Sequence, residues 1–360
     1  MIDSKHLKLI LAIEKSGSLN KASKELNLTQ SALSHQLKNL EEYLGVALFN
    51  RIGNQLYFTA VGKELKERAG VILEHYDELE ARIQEFKENQ LDRYIHGYSQ
   101  REAQRLRDQA TSVSEFLHFD SIWEADSRVL EVGCGVGAQT RIIAAKNPKV
   151  HFTSIDISEP SLDLARKTIA EERIENVDFL LQDVRTLSKN KMDRFDHIFI
   201  CFFLEHIPNP LDVLKQVKGL VKPGGTITVI EGDHGSTYFH PDDPHAQAVV
   251  EAQVQLQKQR GGNANIGRAL YPLLDKAGYQ EVAVSPRQIY VDRSKPALVE
   301  GFIKNTFTAM IQGMSEDLLK EGLVSQTAYK RGIDGLLRTA VADGTFSYTF
   351  FKGVAVNQGT

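Results

Sequence analysis

Val129-Leu130-Glu131-Val132-Gly133-Cys134-Gly135-Val136-Gly137 decides the reading of most of this chain. An apolar strand pattern runs into three alternate glycines and then into a helical pattern. Glycines there let the backbone turn tightly and let a ligand approach it with no Cβ in the way. Nineteen residues after Gly137, at the end of the apolar run Phe152–Ile155, stands Asp156. A carboxylate at that point can accept from both hydroxyls of a ribose. Working outward, strand patterns at Arg128–Val132, Phe152–Ile155, Val177–Leu181, His197–Cys201 and Thr226–Glu231 alternate with helical segments. Such alternation predicts a parallel sheet covered by helices on both faces. A helical lead-in, Tyr94 to Phe119, precedes it. Val282–Tyr290 and Phe346–Val356 are expected as late strands separated by a helical insertion over about 296–343.

The spacing G-x-G-x-G, with an acid two residues before the first glycine, differs from the G-x-G-x-x-G of nicotinamide-binding domains. Asp183 follows the third strand, placed to accept from an adenine amino group. Lys222-Pro223-Gly224-Gly225 makes a tight turn into the fifth strand, and Cys201-Phe202-Phe203-Leu204-Glu205-His206 follows the fourth. Together these residues resemble the class I S-adenosylmethionine-dependent methyltransferases over roughly residues 91–360. The resemblance implies a Rossmann-like α/β fold, S-adenosyl-L-methionine as cofactor and S-adenosyl-L-homocysteine as product. It implies Glu131 near the methionine amino end and Gly133, Cys134, Gly135 and Gly137 under the cofactor. Asp156 would lie at the ribose and Asp183 at the adenine, with Ile157 and Val184 flanking that ring and Cys201 lining the site.

Methyl transfer from a sulfonium needs mainly alignment and exclusion of water, and a base only where the nucleophile must lose a proton. Two polar-aromatic clusters are the candidates for the acceptor pocket. One holds Tyr94, His96, Tyr98 and Arg101, with Arg105 and Gln109 beyond; the other runs from Glu231 to His240. Within the second, Asp233 or His234 is the candidate base, and Tyr98 or Tyr238 would orient the substrate. The acidic and histidine residues between 233 and 245 match no metal-ligand spacing, so no metal is expected. Residues 261–268 read as a polar link and, with the 296–343 insertion, as a lid.

Residues 1–60 carry short amphipathic helices followed by a strand at Gln55–Thr59, and residues 61–90 a long helix. Ser16-Gly17-Ser18-Leu19, Leu28-Thr29-Gln30-Ser31-Ala32-Leu33-Ser34-His35, Leu48-Phe49-Asn50-Arg51 and Phe58-Thr59-Ala60-Val61-Gly62 resemble, in order and spacing, the winged helix-turn-helix of LysR-type regulators. That likeness implies Gln30, Ser31, Ser34 and His35 in the major groove of double-stranded DNA, with Ser18 and Arg51 on phosphate. It also implies a homodimer paired through the 61–90 helix, whose apolar stripe includes Val61, Leu65, Ala69, Ile72, Leu73, Tyr76 and Leu79. The family's usual effector domain is absent, and the methyltransferase-like part stands in its place.

Composition sets the remaining bounds. The 360 residues suit two domains, and 42% apolar with 25% charged residues is the balance of soluble globular proteins. No apolar run of about 18 residues offers a membrane span. Two cysteines, Cys134 and Cys201, make no disulfide framework, which fits a reducing cytoplasm. Residues 1–66 carry nine Lys/Arg against six Asp/Glu, a basic head on a chain of net charge -4. Two functions follow: a methyltransferase acting on a small acceptor, or a LysR-like transcription regulator whose second domain senses S-adenosylmethionine or a metabolite. A DNA amino-methyltransferase is disfavoured, because the Asn/Asp-Pro-Pro-aromatic stretch expected after strand four is replaced by Cys201–His206.

Overall fold

The computed structural model describes residues 3–26, 28–52, 55–91, 100–187 and 194–359, which divide into units Met1–Leu91 and Asp92–Thr360. In the first unit, Asp3 caps α1 (Ser4–Ser16), Ser18 caps α2 (Leu19–Glu25) and Thr29 caps α3 (Gln30–Leu44). Each side chain accepts a backbone N–H that the first helical turn leaves unpaired. Leu9, Ile10, Ile13, Leu33, Leu37, Leu40 and Leu48 form the core among these helices. An antiparallel hairpin, β1 (Phe49–Ile52) and β2 (Gln55–Phe58), then leads into the long α4 (Ala60–Leu91).

In the second unit α5 (Gln100–His118) precedes a seven-stranded sheet of order β5-β4-β3-β6-β7-β9-β8. The strands are β3 (Arg128–Val132), β4 (His151–Asp156), β5 (Val177–Leu181), β6 (Phe195–Cys201), β7 (Val221–His240), β8 (Gln280–Val291) and β9 (Thr345–Val356). The first five run parallel, and β9 runs antiparallel to both β7 and β8. Strand side chains alternate between faces, and both faces of the central strands β3 and β6 are buried. Val129, Phe199 and Cys201 therefore join one core, while Leu130, Val132, Ile198 and Ile200 join the other. Helices α6 (Thr140–Lys146), α7 (Glu159–Glu171), α8 (Pro210–Lys218), α9 (Pro244–Gln259) and α10 (Leu270–Lys276) complete the layers.

Two expectations need correction. The fifth parallel strand does not stop at Glu231: β7 continues to His240, pairing with β9 on both sides of an irregularity between Asp233 and Tyr238. Residues 261–268 are also no open link. Ala264 and Ile266 are buried, and a short 3-10 helix, Ile266–Ala269, packs beneath β7 and β9. The insertion is helical, as its pattern predicts, and includes a ten-residue π-helix, Val299–Thr308. Runs of this kind are rare and recur at functional sites.

Candidate active site

The three glycines after β3 do different work. All have positive φ: +73° at Gly133, +53° at Gly135 and +73° at Gly137. A Cβ on Gly133 would meet the Phe203 ring at 2.2 Å, and one on Gly137 would meet Ala165 at 2.9 Å. Those two permit close packing. A Cβ on Gly135 would meet nothing within 4 Å, so this glycine faces open space where a ligand can reach the backbone. Its N–H donates to Asp156 Oδ2 at 2.8 Å, and the N–H of Ser158 donates to Asp156 Oδ1 at 2.9 Å. The carboxylate at the end of β4 is thereby aimed at the loop. Each oxygen has a further lone pair, so the pair fits the ribose of S-adenosylmethionine. Burial raises the Asp156 pKa above its ordinary value, against the lowering effect of the backbone N–H bonds.

Glu131 projects from the same face of β3 as Val129 and is 2% exposed. Its Oε2 accepts from Thr140 Oγ1 (2.7 Å) and Ser154 Oγ (2.6 Å), and burial pushes its pKa up to about 7. An acid with a raised folded pKa costs stability as pH climbs from about 4.5, its ordinary value, through about 7. At one unit per 1.36 kcal/mol the full cost is about 3 kcal/mol. Glu131→Gln should therefore stabilise the ligand-free protein at pH 8 by up to that amount and have little effect at pH 4.5. Thermal unfolding across this range checks it; a difference independent of pH would refute the assignment.

Asp183 has a partner that spacing did not reveal. Arg185 Nε and Nη2 donate to its two oxygens (2.7–3.2 Å), and the Arg185 N–H adds a third donor. Burial alone would raise this carboxyl, but these bonds outweigh it and hold the pKa below the ordinary value. An adenine amino group would have to share oxygens already bonded to Arg185. Val184 beside it is buried and Ile157 is 41% exposed. Cys134 and Cys201 are buried, and that burial raises both thiols well above their ordinary range.

A pocket enclosing about 510 Å³ of empty space, part of it open to solvent, lies against the C-terminal part of β7. Phe202, Phe302, Phe307, Tyr348 and Phe350 give it an aromatic wall, and Arg105, Glu205, His206 and His234 bring polar groups to it. Phe202 holds a positive φ of 55°, a strained conformation for an aromatic residue of the kind found at binding sites. Phe302, Thr306 and Phe307 come from the π-helix. His234 therefore lies on the pocket, but Asp233, the other candidate base, does not. Both Asp233 oxygens accept from Arg268, at 2.7 and 2.6 Å, and its side chain is 3% exposed. Tyr238, 70% exposed, is not among the lining residues either. Removing Arg268 would leave a buried carboxylate uncompensated. Full burial of both partners would put that loss at 3–5 kcal/mol, but the guanidinium is half exposed, so Arg268→Ala should cost about 1–3 kcal/mol. Asp233→Asn in the same background should recover part of it; chemical denaturation of the three proteins is the test.

In the N-terminal unit Gln30, Ser31 and His35 are exposed along one side of α3, and Ser34 is half-buried. His35 Nδ1 lies 3.2 Å from Asn39 Nδ2, and Arg51 is exposed on β1. Ser18 is engaged in its own helix: its hydroxyl accepts from the Lys21 N–H at 3.4 Å. On α4, Leu65, Ala69 and Leu73 pack against Leu7 and Leu11 of the same unit, whereas Val61, Ile72, Tyr76 and Leu79 are 41–55% exposed.

The family described as "Methyltransferase domain" matches residues 130–227, and that described as "Bacterial regulatory helix-turn-helix protein, lysR family" matches residues 4–63. This chain joins a LysR-family helix-turn-helix to a methyltransferase domain. A ubiquinone biosynthesis O-methyltransferase of Dechloromonas aromatica is 32% identical over 148 residues, 41% of this chain and 60% of that protein. The HTH-type transcriptional regulator MetR of Haemophilus influenzae is 44% identical over 72 residues, 20% of this chain and 23% of that one. The chain thus spans less than two-thirds of the length of these relatives. Among solved structures, a Haemonchus contortus phosphoethanolamine N-methyltransferase 2 is 18% identical with a TM-score of 0.43, covering 68% of this chain and 52% of that one.

Within the methyltransferase domain the fold gathers Glu131, Gly133, Cys134, Gly135, Gly137 and Asp156 at the C-terminal ends of β3 and β4. Tyr94, His96 and Tyr98 lie outside the described residues, as does the side chain of Arg101. Sequence reasoning missed three working partners: Arg185 for Asp183, Arg268 for Asp233, and Glu205 beside His234. Only Arg185 had a local signal, two residues from its carboxylate.

Proposed function

We propose that the C-terminal domain transfers the methyl group of S-adenosylmethionine to a small-molecule acceptor held in the aromatic pocket. The observation that carries this reading is the open backbone at Gly135 beside the Asp156 carboxylate. When bound, S-adenosylmethionine supplies an activated methyl on a positively charged sulfur. The residues here would grip the ribose through Asp156, support the amino end through Glu131 and exclude water with the insertion's aromatic side chains. The aromatic wall suits a flat acceptor, and the O-methyltransferase relatives point the same way. Methyl transfer from labelled S-adenosylmethionine into a fractionated metabolite extract tests this with wild-type and Asp156→Ala protein. Label entering a metabolite only with wild type supports an enzyme. Tight cofactor binding without transfer supports the regulator instead.

That second reading rests on the exposed Gln30, Ser31 and His35 of α3, which are free to meet double-stranded DNA. In either case the chain is a homodimer joined through the outer face of α4, where Ile72, Tyr76 and Leu79 recur at helical spacing. No helix among the described residues is long and apolar enough to cross a membrane. A cytoplasmic location is the setting in which DNA and cofactor are both at hand.

A further inference from the structure

We propose that His234 accepts the proton of the methyl acceptor and that Glu205 is the positioning residue behind it. This rests on the methyltransferase reading above. His234 sits in the irregular stretch of β7, where its backbone N–H donates to Ala264 O (3.0 Å) and its carbonyl accepts from Thr237 Oγ1 (2.7 Å). Its ring lines the pocket between Phe307, tilted by 30° at 6.0 Å, and Tyr348, edge-on at 5.6 Å. Nε2 lies 3.7 Å from Glu205 Oε2. Nδ1 is buried and has no hydrogen-bond partner among the described residues. A buried nitrogen without a partner calls for an explanation, and an incoming ligand supplies one. With the proton on Nε2, facing the carboxylate, the lone pair stays on Nδ1 for an incoming ligand.

The distance of 3.7 Å is too long for a hydrogen bond and short enough for an ion pair. Glu205 therefore does little for neutral imidazole and much for the imidazolium formed when a proton arrives. The carboxylate is itself fixed. Gln257 Nε2 donates to Glu205 O (3.0 Å) and Oε2 (3.2 Å), the Asn263 N–H donates to Glu205 O (2.8 Å), and Gln253 Nε2 donates to Gln257 Oε1 (3.0 Å). The other ionisable groups around this pair are His206, with Nε2 3.6 Å from Glu205 Oε1, Arg105 from α5, Tyr348 from β9, and Glu231 and Asp233 from β7. Glu231 and Tyr348 are pushed up by burial and then by the Glu205 charge. Asp233 is tied to Arg268. In the step itself the acceptor's O–H bond breaks and its proton goes to His234 Nδ1. The oxygen forms the new bond to the methyl carbon, whose bond to sulfur breaks with both electrons left on sulfur. The proton then passes to water.

The test uses the full-length protein, labelled S-adenosylmethionine and the total label entering a metabolite extract, measured from pH 5.5 to 9. His234→Asn should lower transfer at least ~100-fold, the usual worth of a general base. Glu205→Gln should lower it ~10-fold or more and move the acid limb of the pH profile to lower pH, because imidazolium loses its counter-charge. Both variants should bind S-adenosylhomocysteine as wild type does, which reports an intact fold. A Glu205→Gln protein with a reduced rate and an unmoved acid limb would make Glu205 purely structural and overturn the proposal; so would near-normal transfer by His234→Asn. If wild type transfers no label, the methyltransferase reading itself fails. The pair is then still decided by NMR titration of the His234 imidazole, which overturns the proposal if wild type and Glu205→Gln titrate at the same pH.

Discussion

Gly135→Arg is expected to weaken S-adenosylmethionine binding at least ~100-fold, about 2.7 kcal/mol, while the domain stays folded. The three glycines of the loop differ in what surrounds them. At Gly133 even one methyl carbon would press into the Phe203 ring, and at Gly137 into Ala165, so substitutions there damage packing whether or not ligand is present. At Gly135 the space beyond Cα is empty of protein, and the only intrinsic cost is the positive φ of 53°, about 1–2 kcal/mol for a residue with a Cβ. An arginine side chain can occupy that space, and in doing so it takes the ground the cofactor needs. Calorimetry with S-adenosylhomocysteine, beside thermal unfolding of the ligand-free protein, separates the two effects. Near-wild-type affinity would remove Gly135 from the site. Asp156→Ala is a poorer probe, because it strips a partner from the Gly135 and Ser158 amides as well as removing the proposed ribose contact.

This contrast also marks how far the amino-acid order reaches. The strand-loop-strand around Gly133–Asp156 is legible because it is local: a strand buried on both faces reads as an apolar run, and a loop that must bend reads as glycine. Glu131 interrupts that run, and its neighbours Thr140 and Ser154 are likewise near in sequence. The extension of β7 through Asp233 and His240 is not legible. Its polar residues look like a loop, and the partner that satisfies its backbone, β9, arrives more than a hundred residues later. The same holds for the site's ion pairs. Arg268 meets Asp233 because residues 264–269 tuck under the sheet, and Glu205 meets His234 because β6 ends beside the middle of β7, with Cys201 opposite Ile230. Polar side chains carry no periodicity that would announce such meetings. An apolar stripe is similarly ambiguous: residues of α4 that share one helical repeat divide between the unit's own core and its surface.

That division yields the second large effect. If the proposed pairing through α4 holds, Leu79→Glu, alone or with Ile72→Glu, is expected to give a folded monomer, whereas Leu73→Glu should unfold the N-terminal unit. Leu73 is 8% exposed and packs with Ala69 against Leu7, so a carboxylate there would be buried without a partner, at a cost of about 3 kcal/mol or more. A unit with a core of this size has little stability to spare. Leu79 and Ile72 are 55% and 50% exposed, so charge there meets water in the monomer and costs little. In a paired helix the same charges would face an apolar partner, and each appears twice across a two-fold interface. Light scattering reports the mass and circular dichroism the helix content. A dimer that survives Leu79→Glu and Ile72→Glu together would place the subunit contact elsewhere. A Leu73→Glu protein of full helicity and lowered mass would instead mean that this leucine leaves the core to face the partner.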